Sequence, residues 1–167
     1  MLVLLALVLG GVSTTGAQAA GNPVDLELSG AGASSWNISN IKPGDAGTTA
    51  VTLKNAGTKA GAVNIWISDL ISAEGANPES ETGDTSEPGE LDAYLTLNLA
   101  CSRLTTNMTL PMPLNQFPQS PSVPTFVRID RLDAGEAIDI TWHWALPPAT
   151  GNDVQGDSVS FTINYTI

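Results

Sequence analysis

Residues 156–167 read GDSVSFTINYTI, and their pattern decides the fold class. Val159, Phe161, Ile163, Tyr165 and Ile167 alternate with Ser160, Thr162, Asn164 and Thr166. A period of two is a strand with one face on a core and one toward water; a helix would repeat its apolar positions every three to four residues. Val159–Ile167 also carries no Lys and no Pro, the residues with which native sheets blunt their edges. It is therefore expected to lie at a free edge able to recruit another strand.

The same alternation recurs upstream. Leu26 and Leu28 alternate with Asp25 and Glu27, and Val51 and Leu53 sit in a short strand ending at Asn55-Ala56-Gly57. Val63, Ile65 and Ile67 share one face, with Asn64, Trp66 and Ser68 on the other. YLTLNLAC and TFVRI read as strands, and AIDITWHWAL sets Ile138, Ile140, Trp142 and Trp144 opposite Asp139, Thr141 and His143. Turn residues bound most of these segments, as at Pro43-Gly44-Asp45, Ala134-Gly135 and Thr150-Gly151-Asn152. Many short alternating strands between Gly/Pro turns predict an all-β antiparallel sandwich with long loops. NIKPGDAGTTAVTL and RLDAGEAIDITW share one plan, a Gly-acid turn feeding a strand, which reads as reused turn chemistry rather than a true repeat.

Two stretches break the pattern. Residues 72–90 carry Glu74, Glu79, Glu81, Asp84, Glu87 and Glu90 with no basic residue, and read as a solvated, mobile insertion. A brief helical turn is expected to follow it at Leu91–Tyr94. TTNMTLPMPLNQFPQSPSVP holds five prolines, which exclude a helix interior or a central strand, and reads as an ordered loop packed on the sandwich.

Composition narrows the function classes. Seventeen acidic against six basic residues give a formal net charge of −11 over 167 residues. Such a chain lacks the cations to displace counterions from nucleic acid and is repelled by anionic lipid. Cys101, the single cysteine, cannot form an internal disulfide; it follows Leu95, Leu97 and Leu99 at period two and reads as a small core residue, with an intermolecular disulfide or reactive thiol as the alternative.

The opening run MLVLLALVLGGVSTTGAQA reads as a signal peptide, 1–19, leaving one domain, 20–167, as a secreted protein with no membrane segment in its mature form. Its apolar part is too short to span a bilayer, and Ala17-Gln18-Ala19 supplies the small residues of a cleavage site after Ala19. It lacks the usual basic start, so a buried N-terminal strand or helix is the alternative.

Catalytic chemistry is sparsely represented. His143 is the only histidine, and HExxH and GxSxG are absent, so no catalytic residue and no metal-ligand set is expected. The acidic loop offers oxygens suited to Ca2+ but no EF-hand or Asp-x-Asp-x-Asp-Gly spacing, and solvation is its expected state. Asn37, Asn107 and Asn164 each open an Asn-x-Ser/Thr sequon, an N-glycosylation acceptor in an exported chain.

VDLELSGAGASSWNISNIKPGDAGTTAVTLKNAGTKAGAVNIWI resembles the N-terminal half of the TasA/camelysin (CalY) family of exported fibre-forming proteins. The matching marks are Asp25-Leu26-Glu27-Leu28, Ile41-Lys42-Pro43-Gly44-Asp45 and Leu53-Lys54-Asn55-Ala56-Gly57. Asn152, Gln155-Gly156-Asp157 and the alternating final strand are similar to the family's closing pattern; a segment like AYFSDTET, usual before the first strand, is not seen. The resemblance implies a jelly-roll-like sandwich assembled into extracellular filaments of biofilm matrix or cell surface, as in related archaeal pili. It also brings a metalloprotease label, for which this chain lacks ligands.

With the expected free edge, this leads to a homopolymer built head to tail by β-strand addition. The donor strand is either Val24, Asp25, Leu26, Glu27 and Leu28 itself or, with earlier cleavage, VSTTGAQAAGN. The competing expectation is a monomeric adhesin or carbohydrate-binding module in which Trp36 and Trp66 stack on sugar.

Overall fold

The computed structural model describes residues 22–33, 35–76, 81, 86–121 and 124–167. The expected signal peptide, its expected cleavage site after Ala19 and the start of the expected domain lie outside the described residues.

Among the described residues ten strands follow one another: β1 (Leu26–Ser29), β2 (Ser35–Ser39), β3 (Ala46–Asn55), β4 (Gly61–Ala73), β5 (Thr96–Ala100), β6 (Leu104–Thr106), β7 (Met112–Pro113), β8 (Val127–Leu132), β9 (Ala137–Ala145) and β10 (Ser158–Thr166). One helical turn, α1 (Leu91–Tyr94), precedes β5, where the sequence predicts it. The strands form two antiparallel five-stranded sheets, ordered β1-β3-β9-β5-β7 and β2-β10-β4-β8-β6. The fold is an all-β sandwich. Odd-numbered strands make one sheet and even-numbered strands the other, so each connection crosses between sheets and no consecutive pair forms a hairpin.

Alternation sets the core. Val51 and Leu53 of β3, Val63, Ile65 and Ile67 of β4, Leu97 and Leu99 of β5, Ile138, Ile140 and Trp142 of β9, and Val159, Phe161 and Ile163 of β10 point between the sheets and are buried. Each such side chain contributes about 1.5–3 kcal/mol when withdrawn from water. Cys101 is half-buried against this core.

The Pro-rich segment closes one side of the sandwich. Leu114 and Phe117 are buried, the Phe117 ring lies 5.7 Å from that of Trp142, and the Pro118 carbonyl accepts the Ile67 N–H at 2.9 Å. The loop thus completes a hydrogen bond of β4 beyond the reach of β8, which pairs only with Gly61–Ile65.

The expected free edge at the closing strand is not there. β10 lies inside its sheet, with Ser158–Thr162 bonded to β2 on one side and the strand bonded to β4 on the other. Only past Thr162 does it lack β2 as a neighbour. A strand rich in apolar inward residues is worth most where both flanks are paired, and the short strand β2, absent from the sequence reading, supplies the second flank.

Candidate functional site: the open side of the sandwich

Among the described residues, one side of the sandwich is sealed and the other is not. At the β6/β7 side the edge strands are short, Pro113 ends β7, and the Pro-rich loop packs against them. On the opposite side, β1 pairs only Thr52–Asn55 of β3. The chain then leaves the sheet through Gly30, whose φ of 106° favours glycine and whose added Cβ would lie 2.5 Å from the Ala50 carbonyl. It crosses to β2 over Thr49 and Val51 at the buried Gly32. From Ala46 to Thr49, the outer edge of β3 has no strand partner among the described residues. The outer edge of β2 is likewise the margin of its sheet.

Between these two margins opens a cleft of about 380 Å3, lined among others by Ala31, Trp36, Ile38, Ile41, Thr49 and Trp144. Trp36 forms its floor. Its ring meets Trp142 edge-on at 6.4 Å and tilts over Phe161 at 5.6 Å, and its Nε1–H donates to the Gly32 carbonyl at 3.3 Å. Trp144 lies flat on β3 because residue 47 is glycine: a Cβ there would meet the indole Nε1 at 2.5 Å. Neither SWNIS of β2 nor AGTTAV of β3 holds a charged residue, in a chain with a formal net charge of −11. These are uncharged margins beside an apolar floor, a combination suited to an added strand.

The residues singled out as a donor strand lie next to this cleft. Leu26–Leu28 occupy β1 in the chain's own sheet, in register with Asn55, Lys54 and Leu53. Val24 is 36% and Leu28 41% exposed and the Glu27–Lys54 ion pair at 2.8 Å is open to solvent, while Leu26 packs against the core and the Pro23 carbonyl accepts the Lys59 N–H at 2.8 Å. Asp25 is exposed, and its carbonyl accepts the Ala56 N–H at 2.7 Å.

The three sequons differ in setting. Asn37 is exposed on β2 at the rim of the cleft. Asn107 is exposed, but its Nδ2 donates to the Pro124 carbonyl and its Oδ1 accepts the Phe126 N–H. Asn164 is half-buried, and its Nδ2 donates to Ser68 Oγ at 2.9 Å. Trp66 lies on the outward face of β4, in register with Asn164, whereas Trp36 faces inward, so the two do not share one platform. His143 sits on the outward face of β9, with Thr48 and Asn98 in register on either side and no carboxylate beside it in the ladder.

A second cluster lies where the acidic segment meets the sandwich. Carboxylate oxygens of Glu74, Glu81 and Asp157 fall within 4.8 Å of one another. Burial, then the negative charges of Asp157, Glu74, Glu90 and Asp153, push the Glu81 carboxyl up to about 7. Glu74 and Glu81 are half-buried rather than the solvated residues the sequence predicts. Among the described residues no helix is long and apolar enough to cross a membrane.

Compared with known proteins, the chain matches no family model and no curated sequence.

Proposed function

We propose that this protein is the structural subunit of an extracellular filament, polymerising as subunits add a strand to one another's open side. The observation that carries this reading is the pair of uncharged strand margins flanking the Trp36-floored cleft. An extended segment entering there can take main-chain hydrogen bonds from Ala46–Thr49 or Ser35–Ser39 and set alternate side chains on the cleft floor. The donor in this reading is the N-terminal segment, including Val24–Leu28, which lies at the margin of its own sheet. Repetition of one head-to-tail contact gives an open fibre.

The strand order supports the resemblance to the TasA/camelysin fibre-formers. We read β2-β10-β4-β8 facing β3-β9-β5-β7 as a jelly roll, with β1 and β6 added at its margins. Export with cleavage after Ala19 belongs to the same reading, and the secreted protein's mass should correspond to a start at Ala20. The role is structural, and His143→Ala leaves assembly unchanged.

Deletion of Ala20–Leu28 tests the proposal under negative stain. It predicts folded particles without filaments, and a peptide of that sequence should cap growing fibres. Normal filaments from the deleted protein would refute strand donation. One observation favours a second reading, a saccharide-binding module: Trp36 and Trp144 both line the cleft. That reading predicts saccharide-dependent quenching of tryptophan fluorescence by a protein that stays monomeric.

A further inference from the structure

We propose that Glu74, Glu81 and Asp157 form a Ca2+ site that ties Glu81 of the acidic segment to the body of the sandwich. The site stands apart from the filament reading, at the junction of three chain segments. Glu74 follows the last residue of β4, Asp157 precedes the first residue of β10, and Glu81 comes from the insertion between β4 and α1. The backbone is drawn tight around them. A Cβ on Gly75 would lie 2.8 Å from the backbone of Gly156, and one on Gly89 would lie 2.7 Å from Asp157 Oδ2. Glycine at both positions brings the two ends of the insertion onto the turn that carries Asp157.

Proximity of acidic groups alone would say little; the state of Asp157 says more. It is 1% exposed. Its Oδ2 accepts the Glu90 N–H at 3.0 Å, which fixes the carboxylate's direction. Among the described residues its Oδ1 is buried with no hydrogen-bond partner, and so are both carboxylate oxygens of Glu81. A buried carboxylate oxygen without a donor is costly, and more so beside other carboxylates. Basic side chains do not relieve it. Lys54, Arg103, Arg128 and Arg131 are engaged with Glu27, Glu136, Asp130 and Asp133, and neither Glu81 nor Asp157 forms an ion pair among the described residues.

Chemistry and size select the ligand. The donors are all carboxylate oxygens, with no His or Cys, so a hard cation is favoured over zinc or copper. Oxygens mutually within 4.8 Å can share one ion at the Ca–O distance of about 2.3–2.6 Å. Ligands drawn from three separate chain segments suit the flexible coordination of Ca2+ better than the strict octahedron of Mg2+.

The test is thermal melting and calorimetric titration of the purified protein after EDTA treatment, with CaCl2 as the probe and MgCl2 at equal ionic strength as control. Saturating Ca2+, about 100 times Kd, should raise the melting temperature by roughly 5–10 °C. Glu81→Gln should fold like the parent in EDTA and bind Ca2+ at least about tenfold more weakly, since it loses one charged ligand. Asp157→Asn should lose the response too; if it fails to fold, the Glu81 variant decides. Melting of the parent that ignores Ca2+, an equal shift with MgCl2, or an undiminished shift in Glu81→Gln would overturn the assignment.

Discussion

Asn55 shows how one side chain can hold a turn, a strand end and a neighbouring sheet at once. It is fully buried; its Nδ2 donates to the carbonyls of Lys59 and Leu132, and its Oδ1 accepts the Gly57 N–H. The Lys54-Asn55-Ala56-Gly57 motif therefore has a physical reason: only an amide offers two donors and an acceptor in that space. Asn55→Ala should cost roughly 2–4 kcal/mol in urea unfolding, and Asn55→Asp at least as much, because a carboxylate would face two carbonyls. The echoed Gly-acid turns have an equally local cause. Asp45 Oδ2 accepts the Lys42 N–H and Glu136 Oε2 accepts the Asp133 N–H, while the backbone closes each turn in the opposite sense. Gly44 and Gly135 take the positive φ that each turn needs, 95° and 75°. Both turns carry the chain from the even sheet to the odd one, and the strands they start, β3 and β9, pair with each other. Tyr165 gives a pH test. Burial raises its hydroxyl from 10.0 to about 12, although the 2.8 Å bond from Trp142 Nε1–H acts the other way. Between those values the unfolded chain has lost the proton and the folded chain keeps it, so stability is whole below pH 10 and falls as pH rises toward 12. Tyr165→Phe should flatten that alkaline decline in denaturant melts.

At the scale of elements, the inward faces of β3, β5, β9 and β10, and of β4 as far as Ile67, were legible because each keeps a period of two. What was not legible depends on distant partners. β2 was missed: it offers only Trp36 and Ile38 as alternating inward residues, between a Gly/Ala-rich run and Asn40, yet it forms one wall of the cleft. The signal available was that Trp-x-Ile pair bounded by turn residues. The phase reversal in β4 was also hidden. Asp69, at φ 54°, and Leu70 together face Phe161, so the residues after this bulge swap faces and Ile71 is left 60% exposed. Asn164 braces the bulge through Ser68 Oγ, which in turn donates to Asp69 Oδ2 at 2.8 Å. Glu74 and Glu81 looked solvated because charge without periodicity carries no sign of burial, whereas Glu87 is exposed as expected; Gly75 and Gly89 act through close backbone approach to the turn before β10. The Pro-rich loop, in contrast, was legible as an ordered cover. Phe117→Ala should cost about 3–5 kcal/mol by thermal or urea unfolding, since it opens a void beside Trp142.

For the whole molecule, the contrast between its two sides matters most. One side ends in short strands under a proline-rich cover, and the other presents β2 and the upper half of β3 without charge or proline. The sequence pointed to an open edge but placed it on β10, because alternation reveals which residues face inward and not which strand lies last in the sheet. If the open side is where subunits join, lysines at the exposed positions Ser35 and Thr48 should abolish filaments while shifting the melting temperature by only a few degrees, as charge on an edge repels a partner strand without disturbing the core. The most direct measurement is residue-resolved amide hydrogen exchange on the free subunit and on the filament. Strand addition predicts that amides of Ala46–Thr49 pointing away from β9, or of Ser35–Ser39 pointing away from β10, exchange freely in the subunit and become strongly protected in the filament, with the β6/β7 side unchanged. Filaments in which both stretches exchange as fast as in the subunit, with new protection elsewhere, would contradict it.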